Sequence, residues 1–209
     1  MKNLESALGS LVYALTDENY DESLNRYRFL FQLGKTYSLI PSNLVFDTIW
    51  KYKDNISCRD DFTYPTSSLI LRFANDAESD DCLASYSAGL RSRFCASILR
   101  EFFDFCMRDI KHDRYADASA LVDANLIAHG VNLGYIEEST IRDHILQSLI
   151  PYPGARLSGA QTEALLVLFT IAGATFTTYV DHTVVDRCFG LFKECPDPSR
   201  NRGPLIQVS

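Results

Sequence analysis

The chain has 209 residues, a length typical of one large domain or two small ones. Apolar residues make up 46% of the chain and charged residues 22%, a composition that excludes an intrinsically disordered protein. The 20 basic and 27 acidic residues leave a net charge of −7, which argues against bulk electrostatic attraction to nucleic acid.

The first half of the chain has apolar residues at the three- and four-residue spacing of amphipathic helices. One helix is predicted near residues 4–15, and a second after Thr16, a candidate N-cap followed by acidic residues. A third is expected to begin at Pro41 and a fourth at Pro65, although the stretch after Pro65 is also compatible with a buried strand. Residues 83–110 then predict one long helix with a single apolar stripe formed by Leu90, Phe94, Ile98, Phe102 and Phe105.

The second half begins with a helix, a tight turn and a second helix between residues 124 and 151. Gly130 lies inside the first helix and costs about 1 kcal/mol against Ala there, which indicates close helix–helix approach, with a neutral substitution as the alternative. Gly134 is placed to end that helix in a left-handed conformation. Residues 151–159 are rich in Pro and Gly and form the one clear linker. Two further helices are expected at about 160–176 and 181–195.

These elements amount to nine or ten helices with short connections and no convincing strand. Short connections make consecutive helices antiparallel neighbours. The predicted fold is therefore all-α, a HEAT-like α-solenoid of about four to five antiparallel helical pairs whose repeats have diverged in sequence. We assign residues 1–195 to this helical repeat domain and 196–209 to a flexible C-terminal tail.

Two stretches carry a family resemblance. The helical pair at residues 124–150 has an apolar helix, a short hydrophobic turn and an acidic, Thr-containing start to the next helix. Upstream, a Leu–Thr step, a Glu–Asn pair, an aromatic and a Leu occur at Leu15, Thr16, Glu18, Asn19, Tyr20 and Leu24. Together they resemble the MIF4G family, the middle domain of eukaryotic translation initiation factor 4G. The resemblance runs from about residue 4 to 194.

The chain departs from the family pattern in three places. It lacks the acidic insertion often found before the third helical pair, an N-terminal cap-binding-protein motif and a second helical-repeat domain. We therefore expect this domain alone, as a small protein or as an excised fragment.

The resemblance implies a non-enzymatic adaptor in mRNA metabolism, above all in translation initiation. Its implied partners are a DEAD-box RNA helicase of the initiation factor 4A type and other mRNA-bound proteins. Loops at one edge of the solenoid would make the contacts, so Tyr135 and Glu137 in the turn of the 124–151 pair are the candidate partner-binding residues. The alternatives are an RNA-binding helical module in mRNA decay or export, and a generic HEAT-like scaffold for protein interactions.

Six basic residues between 91 and 114 form a candidate basic strip. Arg91, Arg93 and Arg100 are the candidates for contact with RNA phosphate or with an acidic partner. Arg91 and Arg93 have few acidic neighbours in the sequence, which favours them. The alternative is an ordinary helix face of mixed charge.

No sequence pattern indicates catalysis. The chain has no P-loop, no dinucleotide-binding glycine pattern, no zinc-protease motif and no nucleophile elbow. We expect no catalytic residue, no cofactor and no metal, since His129 and His144 lack further ligands at suitable spacing. Asp60–Asp61 and Asp80–Asp81 are interpreted as solvated loop charge. The six cysteines are expected to be free thiols.

The sequence also predicts where the protein resides. No apolar stretch approaches the roughly 20 residues of a membrane span, and the N-terminus has no signal-peptide pattern. The expected location is the cytoplasm, with the nucleus as the alternative.

Overall fold

The computed structural model describes residues 2–36, 43–57, 65–108, 116–149 and 157–179, together with the single positions 186 and 190. Most of these residues are helical, and no strand occurs among them. The helices are α1 (Lys2–Tyr13), α2 (Tyr20–Thr36), α3 (Leu44–Ser57), α4 (Pro65–Ser79), α5 (Ala84–Ser87), α6 (Leu90–Met107), α7 (Ala118–Asn132), α8 (Glu138–Thr140), a π-helical segment (Ile141–Leu146), α9 (Gln147–Leu149) and α10 (Gly159–Tyr179).

The prediction of an all-helical chain is confirmed for these residues. Several expectations lie outside them: the start of a helix at Pro41, the helix at 181–195 except positions 186 and 190, the tail at 196–209 and the larger part of the linker, at 151–156. Within the described ranges, no helix has both the length and the apolar character required to cross a bilayer.

Local capping explains where several helices begin. The backbone N–H of Asn19 donates to Thr16 Oγ1 at 3.3 Å, and Asn19 Oδ1 accepts from the backbone N–H of Thr16 at 2.9 Å. Ser158 and Gln161 make the same reciprocal pair of bonds, at 3.1 and 2.9 Å, at the start of α10. The Ser158–Gln161 pair satisfies a backbone donor that the first turn of α10 leaves without a partner, and the Thr16–Asn19 pair closes the turn immediately before α2. A helix does begin at Pro65, which excludes the alternative of a buried strand.

The prediction of a single helix over residues 83–110 is wrong in one respect. Gly89 has a φ of 64°, in the left-handed region, and this residue separates α5 from α6. The absence of a Cβ makes that conformation accessible. All five residues of the predicted apolar stripe are nevertheless buried: Leu90, Phe94, Ile98, Phe102 and Phe105.

The chain divides into two compact units, Met1–Ser97 and Ile98–Ser209. In the first unit, α1 packs against α2 and α3. The rings of Tyr27 and Phe73 meet edge to face at 5.0 Å between centroids, and this contact joins α2 to α4. Aromatic pairs of this kind add about 0.5–1.5 kcal/mol to the stabilisation from burial.

Asp80 is a structural residue of the first unit. Its side chain is 8% exposed, forms an ion pair with Arg28 and accepts hydrogen bonds from the backbone N–H groups of Cys82 and Leu83. The interpretation of Asp80 as solvated loop charge is therefore wrong, while Asp81 is exposed. Asp60 and Asp61 lie outside the described residues.

In the second unit, α10 packs along α7. Asn132 on α7 donates to the backbone carbonyl of Ile171 at 2.9 Å and accepts from Thr175 at 2.8 Å. The amide of Gln161 donates to the carbonyl of Cys106 at 2.6 Å, which joins the start of α10 to the end of α6. The two bonds of Asn132 hold the end of α7, the helix that precedes the 133–137 turn.

Candidate partner-binding site

The turn at residues 133–137 is closed by backbone hydrogen bonds from the N–H groups of residues 133–136. Gly134, with a φ of 70°, donates its N–H to the carbonyl of Val131 at 3.0 Å. The N–H groups of Tyr135 and Ile136 both donate to the carbonyl of Gly130, at 2.8 and 3.1 Å. This pattern is the Schellman motif, which satisfies the last carbonyls of a helix. The predicted end of the helix at Gly134 is confirmed.

Gly130 has a different role from the predicted one. A Cβ placed at Gly130 would lie 2.8 Å from Cδ1 and 3.1 Å from Cγ1 of Ile136. The close neighbour is thus the turn that follows the same helix, and the expectation of close helix–helix approach is wrong. Ile136 is 5% exposed, so its side chain fills the space that the glycine leaves.

The two candidate residues of the turn differ in exposure. Tyr135 is half-buried and Glu137 is exposed. Glu137 takes an extended backbone conformation at the N-cap position of α8, and its carboxylate accepts a hydrogen bond from Ser139 at 3.3 Å. Because Ile136 between them is buried, the backbone on either side of it is held in place. The turn therefore displays a carboxylate beside a partly accessible aromatic ring.

Arg91 is less available for contact with RNA or an acidic partner than its neighbours in the sequence indicate. Its backbone N–H donates to the carboxylate of Glu78 at 2.9 Å, and its guanidinium donates to Asn75 Oδ1 at 3.0 Å. Arg91 is also half-buried. The expectation that it lies free of nearby acids is wrong, because α4 brings Glu78 to it from 13 positions earlier in the chain.

Arg93 and Arg100 are exposed, the first in the N-terminal unit and the second in the C-terminal unit. The guanidinium carbon of Arg93 lies 5.4 Å from the ring centroid of Phe46, within cation–π range. Neither arginine forms a salt bridge in the described part of the chain. Lys111 and Arg114 of the predicted strip lie outside that part.

A groove in the second unit was not evident from the sequence. It has a volume of about 200 Å³ and is lined by Leu99, Arg100, Phe103, Thr140, His144 and Ile145. One wall comes from α6 and the other from α8 and the π-helical segment. The backbone N–H of Gln147 donates to the carbonyl of Arg142, an i→i+5 bond. Such segments are frequent at functional sites, but no periodicity pattern identifies them in advance.

Burial shifts the pKa values of one histidine and one cysteine in the second unit. It lowers the pKa of His129, whose Nε2 is buried without a hydrogen-bond partner. It raises the pKa of the Cys106 thiol to about 12. Cys82, Cys95 and Cys106 are free thiols, as predicted for them. Within the described residues, no three His, Cys, Asp or Glu side chains lie where they could hold a metal ion.

No family model, curated protein or solved structure matches the chain.

Proposed function

We propose that the chain is a non-enzymatic adaptor in mRNA metabolism that binds a DEAD-box RNA helicase, as its resemblance to the MIF4G family implies. The observation that carries the proposal is the turn at residues 133–137, in the part of the chain where the resemblance is most detailed. The backbone N–H groups of residues 133–136 are hydrogen-bonded, which holds the turn in one conformation, and the turn presents Glu137 to solvent. A rigid contact surface loses little conformational entropy on binding.

The proposed architecture is a HEAT-like solenoid in which consecutive helical pairs bury their apolar faces on one another. The helical order from α1 to α10 supports it, as do the short turn after α7 and the close packing of α10 on α7. In such an array the turns lie along one edge, where each contributes a few contacts to a partner. The 133–137 turn would be one contact among several.

The proposed mechanism is a shift of population in the helicase. A scaffold that contacts both helicase lobes binds their productive orientation better than open ones, and so raises the fraction of productive enzyme. It needs no chemistry of its own. A preference of about 100-fold for the productive state, or about 2.7 kcal/mol, is sufficient to raise a state populated at about 1% to equal population with its competitor.

The test is the ATPase rate of a purified initiation-type DEAD-box helicase, measured with RNA and increasing amounts of the chain. We expect stimulation that saturates. Glu137→Lys should weaken the apparent affinity about tenfold, a loss of about 1.4 kcal/mol. Asp81→Lys is the matched control, because it makes the same charge change at another exposed position. It should retain stimulation.

Other outcomes would count against this proposal. Absence of binding to any helicase of that type rejects the adaptor mechanism. RNA binding by the chain alone, with an affinity that falls steeply with salt and is weakened by Arg93→Glu, would favour the RNA-binding module instead. The exposure of Arg93 and Arg100 supports that alternative, and the net charge of −7 weighs against it.

A further inference from the structure

Both apolar and polar residues line the groove between α6 and the helical segments at residues 138–149. The half-buried Leu99 and Phe103 provide accessible apolar surface, and the buried Ile145 adds to the lining. Arg100, Thr140 and His144 are the polar residues of the groove. The side chains of these three polar residues make no hydrogen bond to any other described residue. The groove is therefore lined mainly by apolar atoms, and the three polar residues that border it keep their side-chain hydrogen-bonding capacity within the described part of the chain.

The polar groups of the groove suit an anion. Arg100 carries up to five N–H donors and a permanent positive charge, and a threonine hydroxyl adds one donor. The nearest acid on the π-helical segment, Asp143, is bound to the guanidinium of Arg142 by two hydrogen bonds, at 2.6 and 3.1 Å. Those bonds lower the pKa of the Asp143 carboxyl, so it stays ionised and paired. Arg100 is the permanent charge of the lining, and it forms no salt bridge with a described residue.

From this geometry we infer that the groove binds a short acidic–apolar segment of a partner protein, a carboxylate side chain next to an aromatic or branched apolar one. The carboxylate would accept from Arg100 and Thr140, a charge-assisted arrangement that favours a planar anion. The apolar side chain would cover Leu99 and Phe103, the half-buried apolar residues of the lining. This inference stands independently of the proposed helicase partner.

Size and charge favour a peptide over other occupants. The groove of about 200 Å³ is smaller than the roughly 300–1,000 Å³ of sites for drug-sized ligands. Arg100 matches one carboxylate, whereas nucleic acid brings a charge at every phosphate. The exposed Asp104 on α6 and the net charge of −7 would repel such a row of phosphate charges.

The test uses the full chain and two pools of fluorescein-labelled nonapeptides, followed by fluorescence polarisation. One pool has a central Phe or Leu flanked by Glu, and the other has Gln in place of Glu. We expect the Glu pool to bind about tenfold more tightly than the Gln pool, the fold-change of one charge-assisted contact. Equal binding of the two pools, or no binding of either, overturns the inference.

Variants assign the binding to the groove. Arg100→Glu should weaken the Glu pool about tenfold or more, and Thr140→Val about threefold. Arg108→Glu is the control, because it makes the same charge change at an exposed position just after α6 and outside the groove. An equal loss in Arg108→Glu indicates non-specific attraction and overturns the inference. Arg100-dependent binding of a single-stranded RNA oligonucleotide without binding of the Glu pool also overturns it. Arg100→Gln, which keeps a polar side chain, serves if the charge reversal disturbs folding.

Discussion

Two glycines in helices of the second unit should respond in opposite ways to the same substitution. At Gly173 in α10, an added Cβ would meet nothing within 4 Å. At Gly130 in α7, it would lie 2.8 Å from Cδ1 of Ile136. Replacement of Gly by Ala in a helix interior stabilises by about 1 kcal/mol when nothing else changes. Gly173→Ala should therefore raise the free energy of unfolding by about that amount.

Gly130→Ala brings the same gain in helix propensity, but it also adds a steric cost. Real Cβ atoms essentially never approach a neighbour as closely as 2.8 Å, so the 5%-exposed Ile136 must move. Overpacking of a core costs about 1–3 kcal/mol. After subtraction of the propensity gain, we expect Gly130→Ala to lower the free energy of unfolding by about 0–2 kcal/mol, about 1–3 kcal/mol below Gly173→Ala.

The assay is urea unfolding followed by helical circular dichroism, with the midpoint and slope fitted for each variant. A double-mutant cycle with Ile136→Val isolates the contact, since valine lacks the Cδ1 atom. Ile136→Val alone should cost about 0.5–1.5 kcal/mol. Combined with Gly130→Ala, it should cost about 1 kcal/mol less than the sum of the two single changes. If Gly130→Ala stabilises as much as Gly173→Ala and the cycle is additive, the assignment of Gly130 to the Ile136 contact is refuted.

Three further results are expected. Asp117→Ala should lower the free energy of unfolding by about 1 kcal/mol in urea titrations, because the Asp117 carboxylate caps the N-terminus of α7. Burial holds the pKa of His129 below its ordinary value of 6.5, so as the pH falls the unfolded chain takes up a proton there before the folded chain does. The free energy of unfolding should therefore fall as the pH drops below about 6.5, and His129→Asn should reduce that fall. The native protein can be labelled with a maleimide and the labelled peptides identified by mass spectrometry. Half-buried Cys82 should react before buried Cys95 and Cys106, because burial raises the pKa of the Cys95 thiol to about 11 and that of the Cys106 thiol to about 12. Equal labelling of all three would contradict the burial of the two thiols on α6.

Helix existence could be predicted from the sequence because its determinants are local. Three- and four-residue apolar spacing identified the buried stripe of α6, Pro65 identified the start of α4, and Gly134 identified the end of α7. Each depends on a residue and its neighbours within about one helical turn. The turn that presents Tyr135 and Glu137 could be placed for the same reason.

The sequence by itself determined the helical elements and the turn at residues 133–137, whereas only the tertiary structure decided which side chains meet. Glu78 reaches Arg91 across 13 positions and Asp80 pairs with Arg28 across 52, so neither contact is visible in local spacing. The groove that joins Arg100 to Thr140 and His144 likewise requires two elements to come together. Such pairings follow from how apolar faces pack across long stretches of chain, since periodicity identifies a face but does not identify its partner.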